Sequence, residues 1–484
     1  MKMIFVIIVS LSFCSILIGQ KQIDSLVQKT KKFDLAYQHL IYDYRIPDWG
    51  YHRLYLDFST SLYGNDAKYN PDSYRNHYEN SEYSGRFRPY FYLYQTSEKL
   101  IFSLYSMMTS NYWYYENRDE SETYTQKTID RNFENTLNVH GNLNQYISRL
   151  FYLKYYTTNS FRYYENSDHS WDIDKELNTT SDSKNNYIRR EYDLNARFGV
   201  GLGRIRNINP VFRALRFTER LKNIGKTTGL SEDELISLIY LYAHESAYSS
   251  TYDRSRKYFY EALPERIIEQ IKNLQPWEMV YLDESSTEII GDRNEGLEIN
   301  GGIQLTHENE IYSGITGSSE LTLMGIYAEQ KYYHNIASSY QIGTSLDLAY
   351  LKAFNENTDV NFLGRGAATF MNLWNMTDRI LVEFSLGYET GFASIEAERY
   401  QMGILETYYK WHRSDRFRLS LSMDYFLENN LSIGALISNS ANKYWTQDAS
   451  YYYDGYQYSS SLYEQQKNWS VHIDLRYYLI RGMH

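Results

Sequence analysis

A period-two alternation of apolar and polar residues, in segments of about ten residues, constrains this chain more than any other feature. Between 53 and 62, Leu54, Leu56, Phe58, Thr60 and Leu62 fall on one side of an extended chain. Arg53, Tyr55, Asp57, Ser59 and Ser61 fall on the other. Phe87, Pro89, Phe91 and Leu93 likewise oppose Arg88, Tyr90, Tyr92 and Tyr94. The pattern is clearest over 189–202, where Tyr192, Leu194, Ala196, Phe198, Val200 and Leu202 alternate with Glu191, Asp193, Asn195, Arg197, Gly199 and Gly201. It resumes after residue 295 with Leu297, Ile299, Gly301, Ile303 and Leu305, then with Ile380 to Leu386, Phe417 to Met423 and Val471 to Leu479. Such strands belong in sheets whose two faces meet different surroundings.

The surroundings are indicated by the N-terminus. Met1-Lys2-Met3 precedes an apolar run from Ile4 to Ile18, and Gly19-Gln20 follows, which reads as a secretory signal peptide over 1–19. Cys14, inside that run, is the sole cysteine, so the exported chain holds no disulfide. Beyond the run no apolar stretch approaches the roughly 18 residues of a spanning helix, and the mean hydropathy is −0.59. Tyrosine is abundant at 53 residues while proline numbers 6, which favours strands. Aromatic girdles at a membrane–water interface would use such tyrosines. A net charge of −11 with no basic block excludes nucleic acid as a partner.

Strands of about ten residues match what a tilted strand needs to cross a bilayer. The expected fold is therefore all-β and transmembrane: an antiparallel up-and-down β-barrel with a small α-helical insert. Closure with both ends on one side needs an even strand number, from 14 to 18, and 16 is the central expectation. A soluble sandwich gives similar alternation strand by strand, so the number of strands and the export signal carry the choice. Tight connections are expected at 95–99 and 141–146, alternating with long Asn/Ser/Tyr-rich loops at 64–85, 115–132 and 162–187. Residues 53–204 and 295–480 resemble strands of Gram-negative outer-membrane β-barrels, and the Tyr/Asn-rich style is similar to such proteins of the Bacteroidota. That resemblance implies an outer-membrane location, with lipid as the surrounding partner.

Two segments break the period. Residues 20–50 carry a helical pattern through Ile23, Leu26 and Phe33, expected to form a periplasmic helix or plug. Residues 206–290 read as a helical insert between the barrel parts at 51–205 and 291–484. Asn209-Pro210 is an N-cap followed by proline at the first helical position. Ser231 to Glu234 is a capping box. The stripes Val211/Leu215, Leu235/Leu238/Ile239 and Ile267/Ile271/Leu274 must be buried against each other, the barrel mouth or a partner. Six strands precede the insert, so it should face the periplasm, where a protein or cell-wall partner could meet it.

The charged residues of the polar faces are the candidate lumen lining: Arg53, Asp57, Arg189, Glu191, Asp193, Arg197, Glu383, Arg418, Asp424, Asp474 and Arg476. They would either select solutes or brace the wall as a ladder of ion pairs. No catalytic, metal or cofactor motif stands out. His244-Glu245 lacks the second histidine of a zinc helix, since Tyr248 occupies that place. The acids Asp168, Asp172, Asp174 and Glu176 lack the spacing of a calcium loop. The expected function is a pore or transporter for small solutes and not an enzyme, with a structural, assembly or binding role of the insert as the alternative.

Overall fold

The computed structural model describes residues 38–477 apart from 70–75, 122, 228, 246–254, 288–290, 314–317, 338, 355–359, 378–379, 402–403, 429–430 and 454–455. The reading of residues 1–19 as a signal peptide, and the pattern at Ile23, Leu26 and Phe33, lie outside the described residues. Fourteen strands form one sheet in strict chain order, each antiparallel to the next. They are β1 (Trp49–Tyr69), β2 (Asn76–Thr96), β3 (Leu100–Glu120), β4 (Tyr124–Tyr146), β5 (Phe151–Asp174), β6 (Thr179–Asn207), β7 (Asn294–Tyr312) and β8 (Ser318–Ala337). They continue as β9 (Tyr340–Ala353), β10 (Val360–Thr377), β11 (Ile380–Gln401), β12 (Ile404–Glu428), β13 (Leu431–Tyr453) and β14 (Tyr456–Tyr477). The fold class is the antiparallel up-and-down β-barrel with a helical insert. Its strand number is even, and lower than the 16 expected.

The strands are also longer than the alternation implied. β6 runs for 29 residues and β5 for 24, whereas about ten suffice to cross a bilayer. Most of the stretches expected as loops at 64–85, 115–132 and 162–187 are instead the outer halves of paired strands: Glu116 faces Ile129 in the β3–β4 ladder and Ser167 faces Asn186 in β5–β6. Both faces are polar there, so the apolar period vanishes although Tyr and Thr still favour extended chain. The turn expected at 141–146 is likewise strand, with the chain reversing over 147–150.

Burial is inverted relative to a water-soluble sheet. Along β6, Phe198, Val200 and Leu202 are 58%, 61% and 47% exposed while Arg197 is 8%. Leu297, Ile299 and Ile303 of β7 are exposed, as are Ile326 of β8, Leu419 and Leu421 of β12, and Val471 and Ile473 of β14. Glu298, Asn300 and Gln304, between the apolar residues of β7, are buried.

The insert occupies the chain between β6 and β7. It contains α2 (Asn209–Asn223), α3 (Glu232–Ala243), α4 (Ser255–Glu261), α5 (Glu265–Ile271) and α6 (Pro276–Thr287), and α1 (Gln38–Asp43) precedes the sheet. Ser231 caps α3: its hydroxyl accepts the Glu234 amide at 3.4 Å while Glu234 accepts the Ser231 amide at 2.7 Å. At α2 the N-cap is Ile208, one residue before the expected Asn209. The Asn209 carboxamide instead accepts the Arg293 amide at 2.8 Å, joining the two ends of the insert. The amphipathic stripes converge. Val211, Phe217, Leu221, Leu235, Leu238, Ile267 and Leu282 are buried in one core, which Leu40, Ile41 and Tyr44 from the α1 segment complete. Each such side chain contributes roughly 1.5–3 kcal/mol, so the insert is a packed unit that uses the N-terminal segment of its own chain as a partner.

Candidate functional site: the inner face and its helical floor

Adjacent strands share a face residue by residue, so the ladders can be followed around the sheet. The Arg53 position pairs with Tyr92, Tyr92 with Tyr105, Tyr105 with His140, His140 with Thr158 and Thr158 with Asn195. Continuing through β7 to β12, the registers place Arg53, Asp57, Arg189, Glu191, Asp193, Arg197, Glu383, Arg418 and Asp424 on one face. The positions of Asp474 and Arg476 pair with Gly434 and Ser432, and their side chains lie outside the described residues.

That face is the concave one. Lys154 of β5 forms an ion pair with Glu329 of β8, each side chain only 10% exposed. Arg197 of β6 donates to Asp347 of β9 at 2.9 Å and to Gln304 at 3.0 Å, and its guanidinium lies 5.0 Å from the Tyr327 ring centre. Contacts that skip strands require the sheet to curl around this face. Gly199 and Gly201 fit here for a local reason: a Cβ at Gly201 would collide with the Tyr152 ring, and one at Gly199 with the Tyr327 hydroxyl. Alternate glycines therefore make room for two inward tyrosines.

The candidate residues fall into separate groups. Arg197 belongs to the buried cross-wall network with Asp347, which also accepts from Arg365 at 3.3 Å. Arg189 pairs with both Glu191 and Glu310, and Glu191 also meets Arg162 at 3.1 Å. Asp193 borders a cavity of about 430 Å³ with Glu191, Glu308 and Glu310. Arg418 reaches Glu389 at 3.5 Å, beside a cavity of about 480 Å³ that Asp347, Arg365, Glu389 and Arg416 line. Glu383 and Asp424 sit on adjacent strands, one register step from pairing. Asp57 holds Arg88 at 2.8 Å, and Arg53 lies over the Tyr51 ring at 5.1 Å.

Sequence reasoning missed the second half of this site, its floor. Glu98, in the turn after β2, accepts the Ile46 amide at 2.8 Å and pairs with Arg204 at 3.1 Å and Arg206 at 3.4 Å. Burial works to raise its carboxyl, and the Ile46 amide, Arg206 and Arg204 overcome it and hold the group below the usual range. Arg293, fully buried just before β7, donates to Asn375 of β10 and at 3.4 Å to Asn335 of β8. Burial pushes its guanidinium down to about 9, which leaves it charged at neutral pH. The segments that flank the helices thus hold the sheet, Ile46 after α1 at the β2–β3 turn and Arg293 before β7 at β8–β10. Between the insert and β1–β3 lies a cavity of about 500 Å³ bordered by Tyr44, Trp49, Tyr51, Tyr94, Arg213 and Glu245. Glu245, in the expected zinc-like dipeptide, pairs with Arg213, while His244 meets the Tyr240 carbonyl at 2.7 Å.

No family model matches the chain, and no curated protein matches it. Among solved structures it is similar to the translocator domain of autotransporter NalP from Neisseria meningitidis, at 9% identity over 87% of this chain and 91% of that one, TM-score 0.18. CdiB from Acinetobacter baumannii matches at 7% identity over 80% and 62%, TM-score 0.23. BamA from Haemophilus ducreyi, lacking POTRA domains 1–3, matches at 8% over 87% and 70%, TM-score 0.15. Superpositions this loose carry no weight for function. The burial pattern and the ladders carry it.

Proposed function

We propose that this chain is an outer-membrane β-barrel that passes small solutes, with the helical insert as a floor regulating the periplasmic mouth. The observation that supports it is the inverted burial: aliphatic side chains outward, a charged and hydrogen-bonded face inward. In hydrocarbon this arrangement is favourable and in water it is costly. Six strands precede the insert and eight follow. The insert therefore shares a side with both ends of the sheet, the periplasmic side in this reading. Planar-bilayer recording tests it. The whole chain should conduct weakly or intermittently, and Arg293→Ala, which removes the tie to Asn335 and Asn375, should raise the open fraction. Silence from both, in samples whose heat-modifiable gel mobility shows a folded barrel, would sink the pore.

A second reading has its own observation. Trp277 and Val280 of α6 are 65% and 58% exposed on the insert, the composition of a small docking patch. It favours a periplasmic protein or cell-wall partner bound through residues 206–290, alongside passage or in place of it.

A further inference from the structure

On the inner face of β1–β4 the aromatic side chains are not scattered. Trp49 stacks on Tyr51 at 5.6 Å between ring centres and meets Tyr94 at 5.4 Å. Tyr51 meets Tyr92 at 5.5 Å, and Tyr92 stacks on Tyr94 at 6.3 Å. Farther from the insert, Tyr55 meets Tyr90 at 5.6 Å, Tyr90 meets Tyr105 at 5.0 Å and Tyr105 meets His140 at 5.4 Å. The registers put all of these on the concave face. The lower end of the row, with Trp49, Tyr51 and Tyr94, opens into the cavity of about 500 Å³ whose far wall carries the Arg213–Glu245 pair.

We propose that this row is a saccharide path, on which a linear neutral oligosaccharide moves along the lumen wall to the chamber above the insert. The inference rests on the pore reading and names its substrate class. Pyranose rings have apolar C–H faces that stack on aromatic rings and hydroxyls on their rims that need partners. Tyrosine offers both, a flat apolar body and a polar tip. The rings form two groups, and within each the centres lie 5.0 to 6.3 Å apart, so a sugar unit leaving one ring meets the next with little change in free energy. An acyl chain is the poorer occupant, since it would cover the tyrosine hydroxyls without pairing them. A peptide cannot add as a strand on β2 or β3, which are already paired on both sides, and at β1 it would compete with closure against β14. The charges interleaved with the row are of both signs, Arg53 over Tyr51 and the Asp57–Arg88 pair at 2.8 Å.

The test is isothermal titration of the whole purified chain in detergent with maltohexaose and, separately, cellohexaose. At least one should bind. Tyr51→Ala and Tyr92→Ala should each weaken it by roughly three- to tenfold, and Tyr92→Phe, which keeps the stack, by less than Tyr92→Ala. Tyr155→Ala, on the outward face, should bind as the parent does. Heat-modifiable mobility screens each variant for folding. Absence of binding by both sugars overturns the inference, as do alanine variants that bind like the parent. So does a fatty acid that binds with the same tyrosine dependence where the sugars do not. Because calorimetry needs no current, a conducting barrel that ignores sugars sinks this inference alone. A silent barrel that binds them sinks the pore and the movement, and leaves the saccharide-binding wall.

Discussion

Glu98 is the residue through which acid should act on the floor. It joins the Ile46 amide behind α1 to Arg204 and Arg206 at the end of β6. Its folded carboxyl lies below its ordinary value of 4.5. The folded state therefore holds this proton less readily than the unfolded chain. The contribution is full above the unfolded value and is lost as pH falls through the lowered folded one. We expect the 38–48 segment to become accessible to limited proteolysis as pH falls below the ordinary carboxylate range, while the strands stay resistant. Glu98→Gln should abolish the acid step and leave that segment looser at neutral pH. An unchanged acid step in that variant would assign it to another group. That Arg53, Asp57, Arg189, Glu191, Asp193, Arg197, Glu383, Arg418 and Asp424 share one face was legible in the sequence because strand parity is local. Glu98 was not, because its importance comes from two arginines more than 100 residues away.

Among the elements, the insert was read largely correctly as helical, since capping and the 3.6-residue period are local. The Ser231–Glu234 box stands as spelled in the sequence. What covers the apolar stripes was open, and α1 together with the neighbouring helices does so. In the Gly225–Gly229 turn, Lys226 points to Glu278 at 3.7 Å. Lys257 on α4 is a better reporter, its side chain 61% exposed and met by Glu261 at 3.6 Å on the surface. Losing such a pair costs on the order of 0.5 kcal/mol. In the pore reading, Lys257→Cys should resist an impermeant maleimide on intact cells and label once the outer membrane is permeabilised. Labelling of intact cells would put the insert outside and invert the topology.

For the whole molecule the question is the seam. Among the described residues no ladder joins β1 to β14, and side chains on both faces of β1 are exposed, from Leu54 at 65% to Tyr55 at 52%. In a bilayer an unpaired strand edge leaves amides and carbonyls without partners, each costing several kcal/mol. The fourteen strands should therefore close, β1 against β14. Hydrogen exchange on detergent-solubilised or membrane-embedded protein should find β1 amides as protected as those of β6. Fast exchange confined to β1 and β14 would show an open sheet and remove the enclosed lumen.

The sequence by itself determined the class of the fold, the parity of the strands whose alternation it shows and the helical nature of the insert, because alternation and capping are properties of neighbours along the chain. It misjudged strand length, since a strand with water on both faces loses the period that marks it. It set Tyr55, Tyr90, Tyr92 and Tyr94 on the polar face, and the registers of β1–β3 bring Tyr51 and Tyr105 to that same face beside them. Only the tertiary structure could assemble that row, the Arg197–Asp347 bridge and the floor that grips β2–β3 and β8–β10. Their partners are brought together by sheet curvature, a property of all the strands at once that no local pattern encodes.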